Sequence, residues 1–273
     1  MPVIARWLGT AAIELHHEGQ NILIDPYVSR LSKSDIFLKP LRSRQEAVEN
    51  FIAGMEGELG ALLCGHTHFD HALDIPGFAQ HTDAPILGCA SLDALLSLSG
   101  FAGRVTVCGP RERVHTGKGT AVTMIPSLHG LILSRLLLLE GDIDRTLTPP
   151  LRAHRYRLGA MRAVKVELGG VTFLHVGSAG LLEGELLGHT CDVLFLCAAG
   201  WRNSPGYPER VVDIVRPSCV IPIHYDDFSL PLGPGNGVRT LKSADLDGFV
   251  GRLNRTGSDM ETRLLAPGMR VSF

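Results

Sequence analysis

The stretch ALLCGHTHFDHALDIP, residues 61–76, decides the fold: it places His66, His68, Asp70 and His71 within six consecutive residues. The apolar GALLCG before it reads as a short buried strand, so the cluster falls in the loop at that strand's C-terminal end. In an extended loop, side chains alternate with period two and His66 and His68 point the same way. Asp70 and His71 are then left to serve a neighbouring position. Borderline-soft divalent metals such as zinc prefer imidazole nitrogen, with carboxylate oxygen as a frequent partner. One histidine in such a loop would most simply hydrogen-bond or face solvent. Four donors at this spacing point instead to metal, and the pattern can feed two ions.

Working outward from the cluster, strand-like and helix-like segments alternate. VIARWLG, AAIELHHEG and NILIDP (residues 3–9, 11–19 and 21–26) read as consecutive strands joined by tight turns. His16 and His17 are expected in an exposed hairpin turn. Residues 43–56 carry a Ser-x-x-Glu start and apolar residues at helical spacing, which predicts a helix. Residues 72–82 and 91–100 read as further helices, with a strand at 84–89 between them. Strands are then expected at 105–110, 121–127, 163–170, 171–178, 192–200 and 219–225, with helices at 179–188 and 208–217. Strands leading each half, with polar or histidine-bearing loops at their ends, argue for an α/β layered domain with two sheets. No linker divides residues 1–273, so a single domain is expected. Residues 130–160 read as an insertion between two strands, apolar at first and then proline-containing and arginine-rich; loops this long inside domains are commonly functional.

The bulk properties exclude several classes. Hydrophobic residues make up 45% of the 273, and the net charge is −2, from 26 basic and 28 acidic side chains. Such a balance does not recruit nucleic acid or anionic membrane. The six cysteines form no CxxC pair, which suits free thiols in a reducing compartment. The opening residues lack a basic segment followed by a long apolar run, so no signal peptide is expected. The longest apolar stretch, Leu131 to Leu139, is broken by Ser134 and Arg135 and is too short for a bilayer, which needs about 20 residues. The expectation is a cytoplasmic protein without a transmembrane segment, and a homo-oligomer is compatible with it.

His-x-His-x-Asp-His is the signature of the metallo-β-lactamase superfamily, and the chain resembles that superfamily over most of its length. WLGTAAIEL (7–15) and NILIDPYVS (21–29) look like its opening strands. DIP (74–76) and VIPIHYDDF (220–228) resemble the branch containing L-ascorbate-6-phosphate lactonase and N-acyl-phosphatidylethanolamine phospholipase D. The resemblance implies a four-layer αββα sandwich with metals at one edge of the two sheets. It implies His66, His68 and His129 as ligands of a first metal, and Asp70, His71 and His224 as ligands of a second. The superfamily's bridging aspartate, however, falls on Ser178 in FLHVGSAG (173–180), and the branch's histidine after WLG falls on Thr10. A serine hydroxyl is a poor ligand beside a carboxylate, so three outcomes stay open: one tightly held ion, two ions bridged only by water or hydroxide, or a metal other than zinc. Zn2+ is the expected ion, with Mn2+ or Fe2+ as alternatives.

The implied chemistry is metal-dependent hydrolysis, with Asp70 orienting the water and taking its proton. Ester, lactone, thioester, phosphodiester and amide bonds of a small molecule or lipid all develop an oxyanion that a metal can stabilise. Arg155, with Arg152, Arg157 and Arg162, is a candidate clamp for a substrate phosphate or carboxylate. Tyr225 and Asp226 are candidates for the pocket lining or for ligand support. The competing reading is a catalytically weakened binding or regulatory protein, owing to Ser178.

Overall fold

The computed structural model describes residues 1–131, 139–232, 238–256 and 259–273. Its strands are β1 (Ile4–Trp7), β2 (Ile13–His17), β3 (Gln20–Ile24), β4 (Glu58–Leu63), β5 (Ile86–Gly88), β6 (Val105–Val107), β7 (Glu112–Gly117), β8 (Thr120–Pro126), β9 (Arg162–Leu168), β10 (Val171–Val176), β11 (Val193–Cys197), β12 (Cys219–Ile223), β13 (Glu261–Thr262) and β14 (Arg270–Ser272). Its helices are α1 (Lys33–Leu38), α2 (Gln45–Ala53), α3 (Phe69–Ala72), α4 (Ile75–His81), α5 (Ala90–Leu98), α6 (Glu183–Leu186), α7 (Tyr207–Val215) and α8 (Leu246–Leu253).

Among the described residues the strands form two seven-stranded mixed sheets, in the orders β14-β1-β2-β3-β4-β5-β6 and β13-β12-β11-β10-β9-β8-β7. Each sheet is antiparallel on one side and parallel on the other: β3, β4, β5 and β6 run parallel in the first, and β10, β11, β12 and β13 in the second. The period-two alternation of a strand explains the layering. Ile22, Ile24, Ala61, Leu63 and Leu87 join the apolar cluster shared with the second sheet, which contains Val122, Met124 and Phe173. The intervening Leu23, Leu62 and Ile86 join another cluster, with Val48 of α2, Phe78 of α4 and Leu92 of α5. In the second sheet, β11 and β12 are buried at every residue, as strands covered on both faces must be. Val211 and Val215 of α7 and Phe249 and Leu253 of α8 pack into that cluster. Each such side chain removed from water contributes about 1.5–3 kcal/mol. The result is the layered α/β arrangement expected from the sequence.

Several local expectations need correcting. Asp70 and His71 lie in the short helix α3, capped by His68, rather than in extended chain. Helical residues turn about 100° each, and this swings Asp70 and His71 away from the direction of His66 and His68. His16 and His17 close strand β2 and are partly buried, because the turn itself is Glu18-Gly19, both at positive φ. The helix expected over 179–188 shrinks to α6. Strand β7 is mostly exposed and so carries little apolar alternation to read, which is why it escapes sequence reading.

Of the insertion at 130–160, residues 132–138, including Ile132, Leu133 and Leu136 to Leu138, lie outside the described residues. Residues 139–160 dock on the helix layer of the first sheet, burying Ile143, Leu151 and Tyr156 in its cluster. They also brace the loop of the histidine cluster, the Thr67 N–H donating to the Leu158 carbonyl at 3.0 Å, and β9 braces it too, the Arg162 N–H donating to the Gly65 carbonyl at 2.8 Å.

Candidate metal centre

Strand ends from both sheets converge at one edge. Asp25 follows β3, residues 66–71 follow β4, His129 follows β8, Ser178 follows β10 and His224 follows β12. In open α/β sheets, ligands sit outside such carboxyl ends. The convergence yields two triads. His66, His68 and His129 offer ligand atoms within 4.8 Å of one another, and so do Asp70, His71 and His224. The triads abut, with the His66 and His71 ring centroids 3.8 Å apart. Every residue expected as a ligand is therefore brought together, in the expected groups.

A further carboxylate escaped the sequence reading. Asp25 is fully buried and in the left-handed region (φ 47°). Its Oδ1 accepts the Gly65 N–H at 2.7 Å, and its Oδ2 accepts from His71 Nδ1 at 2.8 Å. With His66 and His71 it makes a third group of close ligand atoms. A carboxylate only accepts, so His71 Nδ1 carries a proton, and Nε2, beside Asp70, is the nitrogen left for a metal to take. His129 is set the same way, with Nδ1 donating to the Gly130 carbonyl at 2.7 Å and Nε2 freed.

Electrostatics agree with a bound cation. Burial and the neighbouring imidazoles push His66 far below the ordinary histidine range, and burial with His68 lowers His129 to about 3, so both are neutral donors. Burial alone would lower His71, but the charges of Asp25 and Asp70 overcome it and raise it. Burial alone would raise Asp70, but His71 and His224 hold it well below the usual carboxylate range. A positive charge between Asp25 and Asp70 is thus favoured. Among the described residues, both ring nitrogens of His66 are buried without a hydrogen-bond partner, as is Nδ1 of His224. Such an orphaned group costs about 1–3 kcal/mol, which a coordinated ion would offset. Neutral imidazoles with carboxylate at this spacing fit a borderline-soft divalent metal.

The remaining candidates divide. Ser178 Oγ accepts the Gly130 N–H at 3.0 Å, so this hydroxyl braces the turn that carries His129. Asp226 lies behind His224 and accepts the Thr10 N–H at 2.8 Å. Tyr225 points the other way: its ring packs on Trp7 at 4.6 Å and its hydroxyl donates to the Leu265 carbonyl at 2.6 Å, in the core. Arg155 is exposed on a single turn, where its charge acts on Asp144. His175 is fully buried, with Nε2 donating to the Ala11 carbonyl at 2.7 Å. Substituting Asp25→Asn is expected to weaken the metal held through His71 by about 10–100-fold, the usual cost of an outer carboxylate partner. Competition with a chromophoric chelator measures it, and an unchanged affinity would contradict the role.

No family model matches the chain. A UPF0173 metal-dependent hydrolase of Anaeromyxobacter dehalogenans is 28% identical over 280 residues, covering 98% of this chain and 85% of the relative. Another, from Methanopyrus kandleri, is 26% identical and covers 96% of both. Among solved structures, the metallo hydrolase Igni18 of Ignicoccus hospitalis superposes with a TM-score of 0.66 at 18% identity, over 100% of this chain and 99% of that one. The metallo-β-lactamase fold protein YhfI of Bacillus subtilis gives 0.61 at 13% identity, over 100% and 99%. The chain has the metallo-β-lactamase fold.

Proposed function

We propose that the chain is a hydrolase that holds two divalent ions, zinc first among them, and cleaves an ester, lactone, phosphodiester or amide-type bond of a small molecule or lipid. The observation that carries this reading is the pair of abutting triads built around His66, whose ring nitrogens are both buried and unpartnered among the described residues. Metal at this place supplies Lewis acidity and water acidified towards a pKa of about 7. The chain's own residues do the rest. Asp70, ionised through its histidine neighbours, orients the attacking water and accepts its proton. His71 is kept in its donor tautomer by Asp25, and the Gly130 carbonyl does the same for His129. Ser178 contributes no charge between the triads, which leaves Asp70 and the buried Asp25 as the carboxylates that would balance bound metal.

Phe228 stands with its ring 5.9 Å from His224 and 6.1 Å from Phe69, and both phenylalanines are partly buried. This aromatic flank favours a substrate with an apolar part beside the scissile bond. Among the described residues no helix is long and apolar enough to cross a membrane, and all six cysteines are free and buried. The free thiols suit a substrate met in a reducing compartment, the cytoplasm in this reading.

The test is a panel of ester, lactone, phosphodiester and amide substrates turned over by the chain as purified, after chelation, and after Zn2+, Mn2+ or Fe2+ is restored. Turnover that disappears on chelation and returns with metal is expected. Turnover indifferent to chelation, or none on any class by the reloaded chain, would sink the reading.

A further inference from the structure

A buried network behind the site rests on the metal assignment above and adds a residue to it. Arg30 lies in the loop between β3 and α1, and its side chain is only 6% exposed. Its guanidinium donates from Nε to the Leu230 carbonyl at 3.0 Å, from Nη1 to Thr10 Oγ1 at 3.1 Å and from Nη2 to the Asp227 carbonyl at 3.1 Å. Nη1 also pairs with Asp226 Oδ2 at 2.6 Å. Asp226 Oδ1 accepts the Thr10 N–H, and the Thr10 carbonyl accepts the His224 N–H at 2.8 Å. Three segments therefore meet on one cation: the β1–β2 turn, the β3–α1 loop and the chain leaving β12. The last of these carries His224.

Backbone conformation points the same way. Thr10, Arg30 and His224 all occupy the left-handed region, at φ 51°, 47° and 58°. Residues other than glycine persist there only where their surroundings over-determine them, and each of the three is hydrogen-bonded into this network. Gly9 makes room for it: at φ +88°, a Cβ there would fall 2.9 Å from Arg30 Nη1 and 3.1 Å from Asp226 Oδ2. The contacts also demand a guanidinium. A planar fork reaches acceptors spread over several segments, whereas an ammonium is a point charge with a different reach.

We propose that Arg30 is a positioning residue for His224, and so sets the metal affinity of the Asp70/His71/His224 triad without touching that of His66/His68/His129. None of the hydrogen bonds of Arg30 among the described residues reaches the first triad. The selectivity between the two sites separates this role from a general contribution to folding.

The experiment measures Zn2+ equivalents per chain and their two dissociation constants, by competition with a chromophoric chelator. It compares the wild type with Arg30→Lys and with the double variant Arg30→Met/Asp226→Asn, thermal melting reporting that each is folded. The double variant removes both charges, so neither is left buried alone. The first equivalent is expected to hold within about twofold and the second to weaken at least about tenfold in both variants, as losing an outer partner of a ligand does. Wild-type affinity at both sites, equal weakening of both, or a wild type holding a single equivalent would each overturn the proposal. A chain that binds both ions in the expected pattern and yet hydrolyses nothing leaves this inference standing and removes the hydrolytic one.

Discussion

His71→Ala is expected to lower the metal content from two equivalents per chain to one, and to reduce kcat/KM by more than about 100-fold, beyond the loss usual for an outer partner. Two effects combine in this substitution. The second triad loses its central imidazole, leaving Asp70 and His224 as an incomplete set. The fully buried Asp25 also loses the partner that its Oδ2 holds at 2.8 Å, and an uncompensated buried charge costs about 3–5 kcal/mol. His71→Ala should therefore melt earlier as well, while the companion His71→Ala/Asp25→Asn, which removes the stranded charge, should regain stability without regaining metal. Elemental analysis of protein purified without added metal or chelator reads the first effect. One equivalent in both wild type and variant would mean that the second position goes unfilled, and would favour a mononuclear mechanism.

The six candidate ligands were legible for different reasons. His66, His68, Asp70 and His71 declare themselves because their signal is local. His129 and His224 needed the resemblance, since each is a lone histidine at a strand end. Asp25 had only a weak signal, an aspartate before a proline, because the partner that gives it meaning is 46 residues away. Arg30 was harder still: it is one of many arginines in loops, and its value comes from acceptors some 200 residues distant. Tyr225 and Asp226 show the limit of reading a motif as a block. Adjacent side chains leaving a strand point to opposite faces, so one enters the core against Trp7 while the other turns to Thr10 and Arg30. The layered fold was legible because β3, β4 and β5 alternate between two apolar clusters. Exposed β7 and the short β13 and β14 lack that alternation.

Metal-free protein is expected to lose stability steeply below about pH 6.5, and the buried histidines set the direction. His66, His129 and His175 are all held below their ordinary range, first by burial, and His129 to about 3. The unfolded chain takes up protons at these positions near pH 6.5, while the folded chain does not, so acidification favours unfolding. His71 is shifted the other way. Its contribution is fully present below the unfolded value and is lost as pH rises through its folded one, so it does not counter the acid slope. With the protons at His66 and His129 bound only by the unfolded state, the slope approaches about 3 kcal/mol per pH unit, and His175 adds to it in the same direction. Against a typical total of about 5–15 kcal/mol, that unfolds the chain within a few units. Denaturant titrations of chelated protein at intervals from pH 7 to pH 4 measure the slope. His175→Gln should make it shallower while leaving both triads intact, since His175 belongs to neither. Zn2+ should add stability that itself shrinks on acidification, because protons compete for the same imidazole lone pairs. Metal-free stability that held flat or rose between pH 6.5 and pH 4.5 would mean that His66 and His129 are not the neutral, desolvated donors that the two-triad site requires.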